Sequence, residues 1–503
     1  MKRNSLLKNI IYGFLSWFLP LGLSFIATPI IVRGLGIEQY GVYALVLGFI
    51  SYSFTFNIGR AVIKYVSEFQ ATNRKEKISE IISATLLLNL IVGGTGMILL
   101  VFFSRWFVVN VLHIQENLQD EAIKAFYFAS GIVFAAMLSQ VFSSVIQAIH
   151  RFDIYSYITV FTTSLLAVGN IALVWFNQKI EMLLAWTFLL TMLSSLVFYL
   201  YARRLLPEFR LTVRFPKEII RLVLKYSSAV IVTQVLANFM LLFERSWIAG
   251  KLGAEAVTYY VIPLNLGIYI HAFITSISIV LFPLSSETDA LGDKIKLLRI
   301  YTKATKIVLM LAAFLCLTLI NGRNFILYLW LGADFAHNSS DVLITHALTF
   351  GFLAVVIISF QIIEGVGLPK IPTFLTFGWL AVSVPLMILL IKDYGITGVG
   401  FARLAGVLIL IPGILYIEKK VFGRILWKFW QSNLLMIGAA AIFASIVQIL
   451  IFHNTPVKWT SFLGGAFLSS LVYAAVLLLT GFLSENEKQW LKSLYTRKAF
   501  KTV

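Results

Sequence analysis

The chain has 503 residues, 59% of them hydrophobic and only 13% charged, with a formal net charge of +18 and a mean hydropathy of +0.88. So few charges cannot clothe an ordinary soluble surface, which places the chain in a bilayer. The single cysteine, Cys316, excludes an internal disulfide.

Stretches long enough to cross ~30 Å of hydrocarbon as helices follow one another along the chain. They are predicted at 9–32, 40–63, 81–103, 122–147, 155–176, 180–201, 226–250, 256–284, 307–321, 343–365, 371–391, 398–417, 432–452 and 460–482. Lys2, Arg3 and Lys8 precede the first, which is too long for a signal h-region, lacks a small-residue cleavage site and reads as a retained span. The ninth extends back through Tyr301–Lys306. About fourteen spans put both termini on one side. Counting Lys/Arg in the loops makes that side cytoplasmic and gives it essentially all of the +18. The basic balance therefore reflects topology and anionic lipid, with no call for nucleic acid.

The chain also repeats itself at a shift of 217 residues. Lys8 falls on Lys225, Leu35-Gly36-x-Glu38 on Leu252-Gly253-x-Glu255, Tyr43 on Tyr260, Glu76-Lys77-Ile78 on Asp293-Lys294-Ile295, and Tyr199 with Arg203 on Tyr416 with Lys420. A unit of six spans thus occurs twice, and an even number of crossings makes the repeat parallel, as in transporters. The expected organisation is an N-lobe at 1–205, a basic interfacial linker at 206–225, a C-lobe at 226–422, two added spans at 423–483 and a basic cytoplasmic tail at 484–503. In the linker, apolar residues alternate with cations from Pro216 onward, which suits a helix lying on the cytoplasmic leaflet.

External loops are too short to fold as domains, and there is no phosphate-cradling glycine loop, His/Cys metal spacing or nucleophile elbow. A metal-dependent enzyme or an ATP-driven pump is not expected, and no cofactor is implied.

Ionisable groups inside spans cost about 2.5–3.5 kcal/mol each on insertion scales and so face an interior or a wet cavity. Tyr52, Phe56, Arg60 and Lys64 recur every four residues on one predicted stripe, with Asn57 beside it; Arg60 there lines a cavity or snorkels to lipid phosphate. Gln234, Asn238, Leu241 and Arg245 share a face in the seventh span, making Arg245 a lumen cation or half of a structural ion pair, with Glu244 turned ~100° away. His271 lies on a face with Thr275 and Ser278, and Arg403 sits among Val399, Gly400 and Gly406, where lumen and packing roles are both open. Gln140 shares a polar stripe with Ser143, Ser144 and Gln147, and Glu364 marks the inner end of the tenth span. A cavity whose charges are mainly guanidinium groups calls for phosphate or diphosphate, which arginine binds bidentately.

With Lys8-Asn9, Pro29, Leu35-Gly36-x-Glu38-x-Tyr40-Gly41-x-Tyr43, Asn57-Ile58-Gly59-Arg60, Gln147-Ala148-x-x-Arg151-Phe152 and Glu364-Gly365-x-Gly367-x-Pro369-Lys370 in order, the chain resembles the polysaccharide transporter branch of the multidrug/oligosaccharidyl-lipid/polysaccharide flippase superfamily. The resemblance implies two six-helix lobes around a central cationic cavity, and transfer of an undecaprenyl-diphosphate-linked oligosaccharide across the bacterial inner membrane by alternating access. It also implies membrane lipids and a polysaccharide polymerase or assembly proteins as partners, and a monomer as the working unit. Arg60 and Arg245 carry over as lumen cations, with Lys64 at the inner mouth and the carrier's tail in lipid against the last two spans. The rival readings are a small-molecule cation exporter, a peptidoglycan-precursor flippase and a membrane-embedded enzyme. Apart from Glu181 at the outer end of the sixth, the first lobe's spans contain no Asp or Glu, which disfavours the exporter.

Overall fold

In lipid every backbone N–H and C=O must be satisfied within its own segment, so apolar runs of this length fold as helices. The computed structural model describes residues 3–52, 58–71, 74–212, 216–278, 281–368 and 370–483, with side chains described from residue 18 onward except at 71, 225–230, 233, 237, 277, 283, 286, 287 and 290. Asn57, Phe56, Pro369 and the tail 484–503 lie outside the described residues.

All regular structure among the described residues is helical. In chain order the helices are α1 (Arg3–Leu35), α2 (Ile37–Tyr52), α3 (Gly59–Ala71), α4 (Glu76–Trp106, running into a π-helical turn at Phe107–Val111), α5 (Glu116–Ala148), α6 (Phe152–Trp175), α7 (Ile180–Leu205) and α8 (Lys217–Leu252). They continue with α9 (Ala254–Ser278), α10 (Leu281–Ala290), α11 (Lys294–Asn321), α12 (Arg323–Leu331), α13 (Ala333–Gly365), α14 (Lys370–Leu408), α15 (Leu410–Phe422), α16 (Trp427–Asn454) and α17 (Trp459–Leu479). Among the described residues eleven helical segments are long and apolar enough to cross a membrane. This is a multi-pass membrane protein.

The 217-residue period reappears in the backbone. α1 and α8 end 217 residues apart, at Leu35 and Leu252, and each is followed by a glycine with φ near +87°, Gly36 and Gly253. That left-handed conformation stops a helix and is open to glycine at little cost. α5 and α13 begin and end in the same register, and so do the ends of α7 and α15.

The chain forms two compact units, Met1–Val261 and Ile262–Val503. In the first, α5 is the spine: Met137, Val141, Val145 and Ile146 meet Ile78, Ile81 and Ile82 of α4 and Val62 and Val66 of α3 in one buried cluster. The chain after α7 is laced to α4, with Ser79 Oγ donating to the Glu208 carbonyl and the amides of Arg210 and Thr212 donating to Ser79 Oγ (3.1 Å) and Ser83 Oγ (3.0 Å). The helix expected from Pro216 onward forms, but not as a separate surface element. It continues unbroken to Leu252, because no proline intervenes before Gly253, and its Ile219 and Val223 are buried in the α3–α4–α5 core.

In the second unit α13 is the spine, packed on α10, α11, α12, α14 and α15. α14 is a hairpin. At Gly395 the backbone takes φ 55°, ψ −138°, and the chain returns so that Gly406 lies against Ser383 and Trp379 Nε1 donates to the Arg403 carbonyl at 3.3 Å. α16 and α17 pair with each other and dock on α11 through amides: Asn321 Nδ2 donates to Ser445 Oγ (2.8 Å) and Gln448 Oε1 (3.0 Å), while Gln448 Nε2 donates to Thr318 Oγ1 (3.0 Å) and Ser469 Oγ (2.9 Å).

Candidate functional site

The amphipathic helix α3 buries Ala61, Val62, Tyr65, Val66 and Phe69 and presents Arg60, Lys64 and Glu68, one turn apart, on its exposed face. The Lys64 ammonium stands 4.9 Å over the Tyr65 ring. Gln140 of α5, half-buried, accepts the Gly59 N–H through Oε1 at 3.3 Å, so an amide predicted to lie on a separate polar stripe reaches the first turn of the helix that carries Arg60. Asn57 is outside the described residues.

The stripe expected from Tyr52 to Lys64 crosses residues 53–57, which lie outside the described residues. Its part on α3 is the pair Arg60 and Lys64, which share the exposed face of that helix. Tyr52 meets Arg245, whose guanidinium carbon lies 5.2 Å from its ring centroid.

Arg245 of α8 is only 6% exposed. Its Nη1 donates to the Ala44 carbonyl at 2.9 Å, its Nε finds no partner among the described residues, and its chain lies across Gly48 of α2. Gln234 and Asn238, on the same face of α8, are half-buried. The guanidinium is therefore tucked into α2 rather than held out in an open lumen, since a carbonyl and an aromatic face replace part of the hydration a buried cation loses. Glu244 is fully buried beside it on the next face. Arg245 combines a permanent positive charge with an unused N–H, which is what a phosphate oxygen could recruit.

In the second unit His271 of α9 and Arg403 of the α14 return arm meet the same ring. His271 is half-buried with its imidazole 6.3 Å from the Phe350 ring, and the Arg403 guanidinium lies 5.0 Å from Phe350 and 5.5 Å from Trp379. Arg403 is 2% exposed. Of the two roles left open for it, packing between aromatic faces is the one this geometry fits. Glu364 is half-buried in the last turn of α13.

Sequence reasoning passed over Glu418. It is fully buried, and its carboxylate accepts from Tyr301 Oη (2.9 Å), Trp430 Nε1 (2.8 Å) and the Leu426 amide (2.9 Å). Read beside Lys419 and Lys420 it resembles a solvated charge, and its main donors come from other helices. Among the described residues no group of three His, Cys, Asp or Glu side chains is arranged to hold a metal ion.

Residues 6–289 match a family model described as polysaccharide biosynthesis protein. Among curated relatives, a protein of Shigella flexneri named "Putative O-antigen transporter" is 22% identical over 78% of this chain and 93% of its own length. An uncharacterized membrane protein of Methanocaldococcus jannaschii is 23% identical over 84% of this chain and 86% of its own length. Among solved structures, the lipid II flippase MurJ in an inward closed conformation aligns with a TM-score of 0.74 at 15% identity, covering 94% of this chain and 99% of that one. An inward-facing multidrug resistance MATE transporter of the MOP superfamily aligns with a TM-score of 0.69 at 16% identity, covering 82% and 98%. At such identities the structural likenesses show the fold.

Proposed function

Because this chain belongs to the polysaccharide biosynthesis protein family, we propose that it is a flippase that carries a polyprenyl-diphosphate-linked oligosaccharide from the cytoplasmic to the outer leaflet of a bacterial inner membrane, by alternating access and with both termini in the cytoplasm. The O-antigen transporter likeness over nearly the whole of that relative supports the cargo class. The observation that carries the reading is chemical: the candidate residues offer guanidinium groups, an ammonium and amides, and no exposed metal cluster or nucleophile.

Arg60 and Lys64, exposed one turn apart on α3, form the first station for the diphosphate, with Gln140 holding the start of that helix. Two adjacent cations match a diphosphate better than a single charge, the guanidinium offering paired N–H donors and the ammonium a compact charge. Gln234 and Asn238 supply amide groups for sugar hydroxyls. Arg245 acts as a second station once its guanidinium leaves the Tyr52 ring. Each station must hold the diphosphate weakly enough to release it.

The test is complementation of a strain deleted for the gene. Loss of surface polysaccharide with accumulation of lipid-linked repeat units, rescued by the wild type and in part by Arg60→Lys but not by Arg60→Ala, is the expected result, with each protein shown to reach the membrane. Unchanged polymer in the deletion strain, with no second flippase gene, would favour small-molecule export, the reading that the MATE-like fold keeps open.

A further inference from the structure

An apolar groove of about 360 Å³ runs through the second unit between α11, α13, α15 and α16. Leu309, Cys316, Phe352, Ile411, Trp427 and Trp430 are among its walls. A sugar or diphosphate placed inside would leave its polar groups unpaired at a cost of several kcal/mol each, so the groove takes hydrocarbon.

One end of the groove is built differently. Ile411 and Leu415 of α15 line it, and the next residue on that four-residue row is Lys419, which is exposed. Across the turn, Trp427 and Trp430 line it from the first turns of α16, with the exposed Lys428 between them and the exposed Arg424 just before. The only acid between residues 416 and 430 is Glu418, and its two oxygens are taken up by Tyr301, Trp430 and the Leu426 amide. Those bonds do two things. They hold the turn between α15 and α16, where Gly423 takes φ 75°, and they set the indole of Trp430 as a groove wall. The cations are therefore left without an acidic neighbour on their own turn, at the mouth of a hydrocarbon slot flanked by tryptophans, the arrangement that suits a membrane interface.

We propose that this groove is a binding site for an anionic phospholipid, with an acyl chain along α13 and α16, the phosphate at Lys419, Arg424 and Lys428, and Glu418 as the positioning residue that shapes the mouth. Charge complementarity selects an anionic headgroup over a zwitterionic one. A basic residue near an anionic lipid surface contributes about 1 kcal/mol, so each cation is worth about a fivefold preference.

The test uses the full chain in phosphatidylcholine nanodiscs doped with brominated phosphatidylglycerol or brominated phosphatidylcholine. Trp427 emission is isolated as the difference between wild type and Trp427→Phe. Quenching by the brominated anionic lipid at a mole fraction lower by up to about a hundredfold is expected, with Lys419→Gln and Lys428→Gln each lowering that preference about fivefold. Ala313→Phe, which fills the groove, should remove the saturable quenching; the two charge variants alter only exposed side chains and keep the test decisive if that variant does not fold. Equal quenching by the two lipids, or a preference untouched by both charge variants, would overturn the proposal. So would displacement of the brominated lipid by undecaprenyl phosphate but not by unbrominated phosphatidylglycerol, which would assign the groove to the carrier's tail.

Discussion

Gly48 of α2 lies directly beneath the guanidinium of Arg245: a Cβ at position 48 would stand 2.8 Å from Nη1 and 3.0 Å from Cδ. The glycine leaves room for the cation to reach the Ala44 carbonyl and the Tyr52 face. Gly48→Val should expel Arg245 from this seat at a cost of about 1–3 kcal/mol, typical of overpacking. Thermal unfolding in detergent should show the loss, and Arg245→Leu placed on top of Gly48→Val should add less than it does alone.

Gly395 takes a backbone conformation that side chains with a Cβ rarely adopt. Gly395→Ala should therefore destabilise by about 1–3 kcal/mol, with a lower melting temperature and less folded protein recovered from membranes. Gly378→Ala is the control, since a Cβ there meets open space and nothing forces its φ positive. It should leave the melting temperature near that of the wild type.

Gln448 joins three helices, accepting from Asn321 and donating to Thr318 and Ser469. Interhelical hydrogen bonds in membranes average about 0.6 kcal/mol and reach about 1.7, so Gln448→Leu should cost about 1–2 kcal/mol. Asn321→Leu combined with Gln448→Leu should cost less than the sum of the two, because they share a bond.

The Lys75 ammonium, 2.9 Å from Glu208, donates to its carboxylate and holds the Glu208 carboxyl below the usual range. A folded-state value below the unfolded one means that the pair stabilises above about pH 4.3, and that this contribution is lost as pH falls through the depressed value. Both side chains are partly exposed, so the contribution is below about 1 kcal/mol. Lys75→Met should move the Glu208 titration upward, which carboxyl-carbon NMR would read, and should flatten stability against pH only below about pH 4.3.

Arg60 and Lys64 were legible as neighbours because four-residue spacing within one helix is a local fact, and α3 carries both on one face. The contact of Tyr52 with Arg245 was not legible, because it joins residues almost two hundred positions apart. Arg245 was legible as a cation inside a span. Its partners were not, since Ala44 and Gly48 precede it by about two hundred residues and only the packing of α2 on α8 brings them together. The aromatic neighbours of Arg403, Phe350 and Trp379, were likewise not written in its local sequence. Glu418 left no trace in the linear pattern, as two of its three donors are side chains of other helices.

Sequence by itself determined the helical membrane class and the 217-residue period, and the structure placed the matching helix ends at Leu35 and Leu252 and at Ala148 and Gly365. Helix length in lipid is dictated by apolar run and local backbone hydrogen bonding, both written in consecutive residues. Only the tertiary structure decided which intramembrane charges are exposed and which are clamps. A guanidinium has the same composition in either place, and what distinguishes Arg60 from Arg245 is whether a glycine, a carbonyl and a ring on another helix stand opposite it.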